Sequence, residues 1–370
     1  MAKSKDLPRC AVILAGGRGT RFWPRSRRRT PKQLLDIIST KTMLRETADR
    51  LGPLFPPKHL WVVTNDEQAA AIRRELARVP RAQILAEPVG RNTAAAIGLA
   101  AIHLAKKHGD ALMAVLPADH YIANAAHYRK IIGAAMGLAS TPGNLVVLGI
   151  PPTRPETGFG YIERAERIRG RLGVPAYSVE RFTEKPDLER ARKYIAGKKH
   201  FWNAGMFFWP VSTFLECLRE FLPQAWAALK ELQSTIGTPR YSRTLHRIYP
   251  SLKSISVDYA VMEPATRRGA RQRVFVLPAD IGWSDIGSWA AVYELLAREK
   301  EQNVTNSAAF TFDASGNFIW ARRKFAALIG VTNLVVVDTG DALLVCPRER
   351  AQDVGKIVAW LEQHGRADLL

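Results

Sequence analysis

The chain's 370 residues exceed the ~100–200 that one domain usually holds, so about two domains are expected; 47% apolar and 24% charged residues describe an ordinary globular protein. No apolar run approaches the ~18 residues of a membrane span. The net charge of +20 leaves three classes open: a nucleic-acid binder, a membrane-surface binder, or an enzyme for anionic metabolites.

The basic residues are scattered in segments such as IRRELARVPR, RRGARQR and ARRK, with no basic tail and no aromatic RNA-binding motif. A solvated basic surface is the plain reading of that pattern. Cys10, Cys217 and Cys346 are widely spaced and form no CxxC pair, so neither a zinc site nor a disulfide framework is expected. Reduced, buried thiols are the default for such residues.

The opening MAKSKDLPRCAVILAGG sets basic residues before an apolar stretch. That stretch is about six residues, short of the ~7–15 of a secretory signal core. It reads as a first buried strand, which points to a cytoplasmic protein. β-branched runs then alternate with helical ones: CAVILA, TMLRETADRL, HLWVVTN, DEQAAAIRRELARV, AQILAE, NTAAAIGLAAIHLAKKHG, ALMAVLPAD, HYRKIIGAAMGLA and NLVVLGI. This order predicts an α/β, Rossmann-like, mostly parallel sheet covered by helices, with ligands at the carboxyl ends of its strands. From residue 151 the strand-like segments TGFGYIER, AYSVERFTEKPD, FWNAGMFFW and RQRVFVLPAD carry unusual glycine, aromatic and acidic residues. They read as additions to the sheet that shape a second half-site. After Trp289 a helix, AAVYELLAREKEQ, precedes two strand–turn–strand units with hairpin turns at Asp313–Gly316 and Asp338–Asp341. The last helix, RERAQDVGKIVAWLEQ, places Val354, Ile357, Val358 and Leu361 on one face. The expected division is a catalytic domain over 1–299 and a small β-rich domain, ending in a helix, over 300–370.

Chemistry concentrates in a few stretches. LAGGRGTRFWPRSRRRTPKQ (14–33) holds three glycines, six arginines and one lysine in twenty residues. It is neither a P-loop nor a dinucleotide fingerprint, because Phe22 stands where the third glycine would be. Gly16, Gly17 and Gly19 suit either a tight turn or close approach of backbone N–H groups to phosphate, with Arg21 and Lys32 to neutralise charge. In EPVGRNT (87–93), Asn92 or Thr93 suits a helix N-cap. Alternatively Glu87 accepts the N–H donors of a base such as guanine, with Arg91 or Asn92 as donors to it. Asp119 ends an apolar strand in LPADHYI, and Asp285 lies in IGWSDIGSW. Each suits a cap, and together they suit Mg²⁺, which takes one or two carboxylates plus phosphate oxygens and water. His120 has no spaced partner and reads as structural. TGFGYIE, FTEKP, WNAGM and SVDYAVME set polar residues in an apolar frame, as ordinary strand and turn or as a pocket for a hydroxyl-rich molecule.

Together these segments resemble, in order and spacing, the sugar-1-phosphate nucleotidyltransferases over about residues 8–290. The resemblance implies GTP and mannose 1-phosphate as substrates, GDP-mannose and pyrophosphate as products and Mg²⁺ as cofactor. It implies no nucleic-acid or membrane partner and leaves room for a homodimer. Leu14, Ala15, Gly16, Gly17, Gly19, Thr20 and Arg21 resemble the nucleotide loop, and Lys32 completes its charge clamp. Glu87 and Asn92 resemble the residues that recognise base and ribose, and Asp119 and Asp285 the metal ligands. Gly158, Glu184 and Asn203 resemble the sugar contacts, and Lys185 the ligand of the sugar's phosphate. Arg21, Lys32 and Lys185 are thereby the expected catalytic cations. Asp258 matches a family motif without a clear role. After residue 300 the resemblance weakens, and it allows the C-terminal domain to be a left-handed β-helix.

Arg18 stands where a small residue is common in the family, and Ala95 where proline is usual; Arg18 could add a phosphate contact. The implied reaction needs no general base, because the attacking phosphate oxygen is already ionised. Its obstacle is the meeting of two anions, answered by positioning and charge neutralisation. Two rivals remain: a different nucleotide and sugar-phosphate pair, or a polyanion binder on an inactive enzyme scaffold.

Overall fold

The computed structural model describes residues 7–170, 172–299 and 301–370. The chain forms two compact units. The first comprises residues up to Gly16, Ala48–Pro117 and Ile122–Trp283; the second comprises Gly17–Thr47, Ala118–Tyr121 and Ser284–Leu370.

The first unit is built on a nine-stranded sheet, in the order Ile84–Glu87, Leu60–Asn65, Arg9–Leu14, Leu112–Pro117, His200–Pro210, Asn144–Ile150, Arg273–Pro278, Tyr177–Thr183 and Tyr161–Arg167. The first four strands run parallel to one another. His200–Pro210 is antiparallel to both of its long neighbours, Arg273–Pro278 returns parallel to Asn144–Ile150, and the two outer strands are antiparallel. Consecutive residues Cys10, Ala11, Val12 and Ile13 are all fully buried, the mark of a strand covered on both faces. That explains why the opening strand is a continuous apolar run. Alanine dominates the helix Asn92–His108, letting it pack closely with Val211–Phe221 and Pro223–Thr235. At Gly98 a Cβ would lie 2.6 Å from a Leu229 methyl, so a side chain there would force Leu229 to shift. The helix Ala125–Ala139 lies against the strands Asn144–Ile150 and His200–Pro210.

In the second unit the strands Val304–Thr305, Phe318–Trp320 and Leu334–Asp338 pair in parallel, as do Ala309–Phe312 and Ala326–Ile329. Successive parallel pairing on two sheets is solenoid geometry, the β-rich domain expected from the sequence. Asn317 is fully buried and joins three coils. Its Nδ2 donates to Asn303 Oδ1 and to the Val331 carbonyl, and its Oδ1 accepts the Leu334 N–H, each over 2.9 Å. The turn at Asp338–Asp341 is a hairpin between Leu334–Asp338 and the antiparallel Leu343–Pro347. The turn at Asp313–Gly316 is not. The chain there rounds a solenoid corner, with the Gly316 N–H donating to the Glu301 carbonyl over 2.7 Å. Local turn chemistry is shared by both cases, so the sequence could not separate them.

Aromatic packing anchors this unit. Trp289 meets Phe22 edge-on at 5.1 Å and stacks with Phe318 at 5.5 Å, while its indole N–H donates to the Trp23 carbonyl. In the helix Val354–Gln363, Val354, Val358 and Leu361 are buried, as their spacing predicts, and Ile357 packs partly buried. All three cysteines are free thiols; Cys10 and Cys217 are buried, whereas Cys346 is only half-buried. No helix among the described residues is long and apolar enough to cross a membrane.

Candidate active site

In the first unit Gly16 follows the strand Arg9–Leu14 and Glu87 ends the strand Ile84–Glu87. Glu87 is only 5% exposed. Tyr249 donates its hydroxyl to Glu87 Oε1 over 2.5 Å. A Cβ at residue 16 would lie 3.1 Å from Oε2, so glycine there lets the carboxyl pack close to the loop backbone. Burial pushes the Glu87 carboxyl up to about 7, against the pull of the Tyr249 hydrogen bond. The backbone at residue 15 is fixed by its N–H on the Val63 carbonyl and by the Thr64 hydroxyl on its own carbonyl.

The EPVGRNT segment departs from the expected helix cap, since neither Asn92 nor Thr93 takes the N-cap position. Arg91 donates to the Pro250 carbonyl, so its guanidinium is engaged away from Glu87. The helix starts at Asn92, whose φ is +63°. Its Oδ1 accepts the N–H of the next residue, Thr93, over 2.8 Å, while Thr93 Oγ1 accepts the Val257 N–H over 2.8 Å. Thr93 thus ties the helix start to a distant segment instead of capping its own helix.

Glu184, Lys185 and Asn203 come together. Lys185, at φ +48°, holds its ammonium 3.4 Å from Glu184 Oε1. Glu184 Oε2 is buried and has no hydrogen-bond partner among the described residues. It would lie 2.5 Å from a Cβ on Gly160, and the Asn203 Cβ would lie 3.2 Å from the same point. Glycine at 160 therefore makes the space that both side chains border. Burial pushes the Glu184 carboxyl up to about 7; Asp258 and Glu263 add to the rise, and Lys185 opposes it. Gly158 instead donates its N–H to Glu156 Oε1 over 3.1 Å. The sequence reading overlooked Gly160, Tyr249 and Glu263. The second glycine of TGFG was a visible signal, whereas nothing local marks Tyr249 as Glu87's partner from 162 positions away.

In the second unit lie Gly17, Gly19, Thr20, Arg21, Lys32, Asp119 and Asp285; Gly19, Lys32, Asp119 and Asp285 come together, whereas Thr20 and Arg21 border Gly355 of the last helix. Gly19 has φ +62°, and a Cβ there would sit 2.4 Å from the Lys32 Cβ; conformation and space both demand glycine. Gln33 donates to the Gly17 carbonyl over 3.1 Å, and Ser26 to that of Arg18 over 2.8 Å. Arg21 is exposed. Lys32 is buried, 6% exposed, with its ammonium 2.8 Å from Asp119 Oδ2 and donating over 2.8 Å to the Asp285 carbonyl. Burial pushes the Asp119 carboxyl up, but Lys32 and His120 outweigh it and hold it below the usual range. Asp285 Oδ2 would lie 2.9 Å from a Cβ on Gly287, so that glycine seats the carboxylate. Arg18 pairs with Glu362 on the helix Val354–Gln363, where Arg28 also lies within 3.4 Å.

Lys32 links the Asp119 carboxylate to the Asp285 backbone, and the two aspartates offer hard oxygen donors with neither imidazole nor thiolate, a donor type that suits Mg²⁺ completed by water and phosphate. No cluster of three or more His, Cys, Asp or Glu that could hold a metal occurs among the described residues.

Residues 10–302 match the nucleotidyl transferase family, and residues 308–361 match the MannoseP isomerase/GMP-like β-helix domain. A mannose-1-phosphate guanylyltransferase of Salmonella muenchen is 38% identical over 368 residues, covering 98% of this chain and 75% of that protein. Its counterpart in Escherichia coli K12 is 37% identical over 372 residues, with 99% and 75% covered. A crystal structure from Thermus thermophilus, described as a mannose-1-phosphate geranyltransferase, superposes with a TM-score of 0.85 at 35% identity, covering 96% of this chain and all of that one. The chain is therefore a nucleotidyltransferase enzyme and belongs to the mannose-1-phosphate guanylyltransferase family.

Proposed function

We propose that this enzyme transfers GMP from GTP to mannose 1-phosphate, releasing pyrophosphate and forming GDP-mannose. The observation that carries the reading is the meeting of Lys32, Asp119 and Asp285, a cation and two carboxylate residues beside a glycine loop, in a chain whose relatives bear that activity.

In this reading a phosphate oxygen of mannose 1-phosphate attacks the α-phosphorus of GTP in line. A new P–O bond forms as the bond to pyrophosphate breaks, and no proton need move. Backbone N–H groups of Gly16, Gly17 and Gly19 hold the triphosphate, while Arg21 and Lys32 offset charge on the departing pyrophosphate. Glu87 accepts guanine's N1–H and 2-amino donors, and the Tyr249 hydroxyl keeps its carboxyl turned. Lys185 anchors the sugar's phosphate; Glu184 and Asn203 meet its hydroxyls. Asp119 and Asp285 would hold Mg²⁺, which supplies Lewis-acid neutralisation of phosphate charge when bound.

Pyrophosphate release from purified protein with Mg²⁺ tests the reading. GTP, ATP, dTTP, CTP and UTP are each paired with mannose, glucose and other sugar 1-phosphates. Release confined to GTP with mannose 1-phosphate is expected. Release with another pair overturns the substrate assignment, and no release with any pair overturns the function.

A further inference from the structure

Asp258 matches the family's motifs without a part in the reaction above, yet the structure places it at the sugar-side residues. The segment Asp258–Met262 is a single π turn leading into the short helix Glu263–Ala265. Such turns are rare and recur at functional sites. This one reaches both sugar-side residues at once: Asp258 Oδ1 accepts from Asn203 Nδ2 over 2.7 Å, and Glu263 Oε1 accepts the Glu184 backbone N–H over 3.0 Å.

The Asn203 amide is thereby held at both ends, since its Oδ1 accepts the Gly205 N–H over 2.9 Å. It cannot flip without losing two hydrogen bonds, and one Nδ2 hydrogen remains to donate. The neighbouring Glu184 Oε2 has no partner among the described residues although it is buried. A buried polar atom left unpaired costs stability, which marks it as awaiting a ligand. Glu184 Oε2 and the Asn203 Cβ both pack against Gly160, which brings the two side chains side by side. A sugar hydroxyl that both accepts from the Asn203 amide and bonds to Glu184 can do so in one orientation only. An epimer, with that hydroxyl turned, leaves both groups unpaired.

We propose that Asp258 is a positioning residue for sugar selectivity: by locking the Asn203 amide beside Glu184 it fixes the hydroxyl orientation that the site accepts. This rests on the reading of Glu184, Lys185 and Asn203 as the sugar-phosphate site. The Asp258 charge also acts on Glu184, whose carboxyl faces Asp258, Lys185 and Glu263; of these, Asp258 and Glu263 raise it and Lys185 lowers it.

The test compares Asp258→Ala and Asp258→Asn with wild type. Steady-state kinetics use the preferred sugar 1-phosphate and its C2 epimer, with the nucleotide varied separately. Asp258→Ala should raise KM for the preferred sugar 1-phosphate by about tenfold and narrow the kcat/KM ratio between the epimers by about as much, with KM for the nucleotide within about twofold. Asp258→Asn keeps an oxygen that accepts from Asn203, so it should hold the epimer ratio within about twofold. With the negative charge gone, the limb of the sugar-KM pH profile near 7 should move to lower pH. An unchanged ratio and sugar KM in Asp258→Ala overturns the proposal. If that variant does not fold, Asp258→Ser, whose hydroxyl is too short to hold Asn203, takes its place, and an unchanged epimer ratio there overturns the proposal. Failure of the underlying site reading looks different: Glu184→Gln and Asn203→Ala would both leave the sugar KM at the wild-type value.

Discussion

The buried ammonium of Lys32 lies 2.8 Å from Oδ2 of Asp119. It also donates to the Asp285 carbonyl, so one lysine locates both candidate metal ligands. Lys32→Met should lower kcat by about 10²-fold or more, the scale of losing one preorganised charge contact. Pyrophosphate release at saturating substrates checks this, and a kcat within about twofold of wild type would remove Lys32 from the mechanism.

Asp119 and Asp285 contribute only two carboxylates, so losing one should be severe. Asp285→Asn should raise the Mg²⁺ concentration needed for half-maximal rate by at least about tenfold, no less than the loss of an outer-shell partner elsewhere. EDTA should abolish turnover of the wild type, and added Mg²⁺ should restore it. Undiminished activity in excess EDTA would rule out the metal.

With Glu87 as the proposed base acceptor, stability and nucleotide binding should depend on pH in opposite senses. Its folded carboxyl titrates at about 7, raised from 4.5, so the folded chain holds this proton more tightly than the unfolded one. The resulting stability is complete below about 4.5 and is lost as pH rises through 7. Glu87→Gln, which has no such proton to lose, should melt above wild type at pH 8, with the gap closing below pH 5. Guanine's N–H donors favour the ionised carboxyl, so wild-type KM for GTP should rise as pH falls below about 7. A flat GTP profile would separate Glu87 from base recognition.

Arg18 and Glu362 meet at the surface, with the arginine side chain half exposed. Exposed pairs contribute little. Arg18→Ser and Glu362→Gln should each melt within about 2 °C of wild type by calorimetry, and a larger loss would make the contact a structural anchor of the glycine loop.

Much of this protein was legible in the order of its residues. Apolar runs such as CAVILA and ALMAVLPAD can be buried on both faces only as central strands of a covered sheet, and the alternation with helices then makes the sheet largely parallel. The glycine loop could be recognised because φ near +60° at Gly19 is a demand on one residue, stated in one letter. The spacing of valines and leucines in the last helix likewise required nothing beyond 3.6 residues per turn.

What no local pattern could supply were pairings between distant residues. A tyrosine reads the same wherever it stands, and only folding brings Tyr249 to Glu87. The turns at Asp313–Gly316 and Asp338–Asp341 carry equivalent chemistry, yet one rounds a solenoid corner and the other closes a hairpin, because the strands available for pairing differ. Arg18, beside the glycines of the loop in sequence, is drawn to Glu362 because the C-terminal helix and the loop fall within one compact unit. Side-chain identity sets what a residue can bind. Long-range packing sets which partner reaches it, and that depends on loop closure and burial summed over the whole chain.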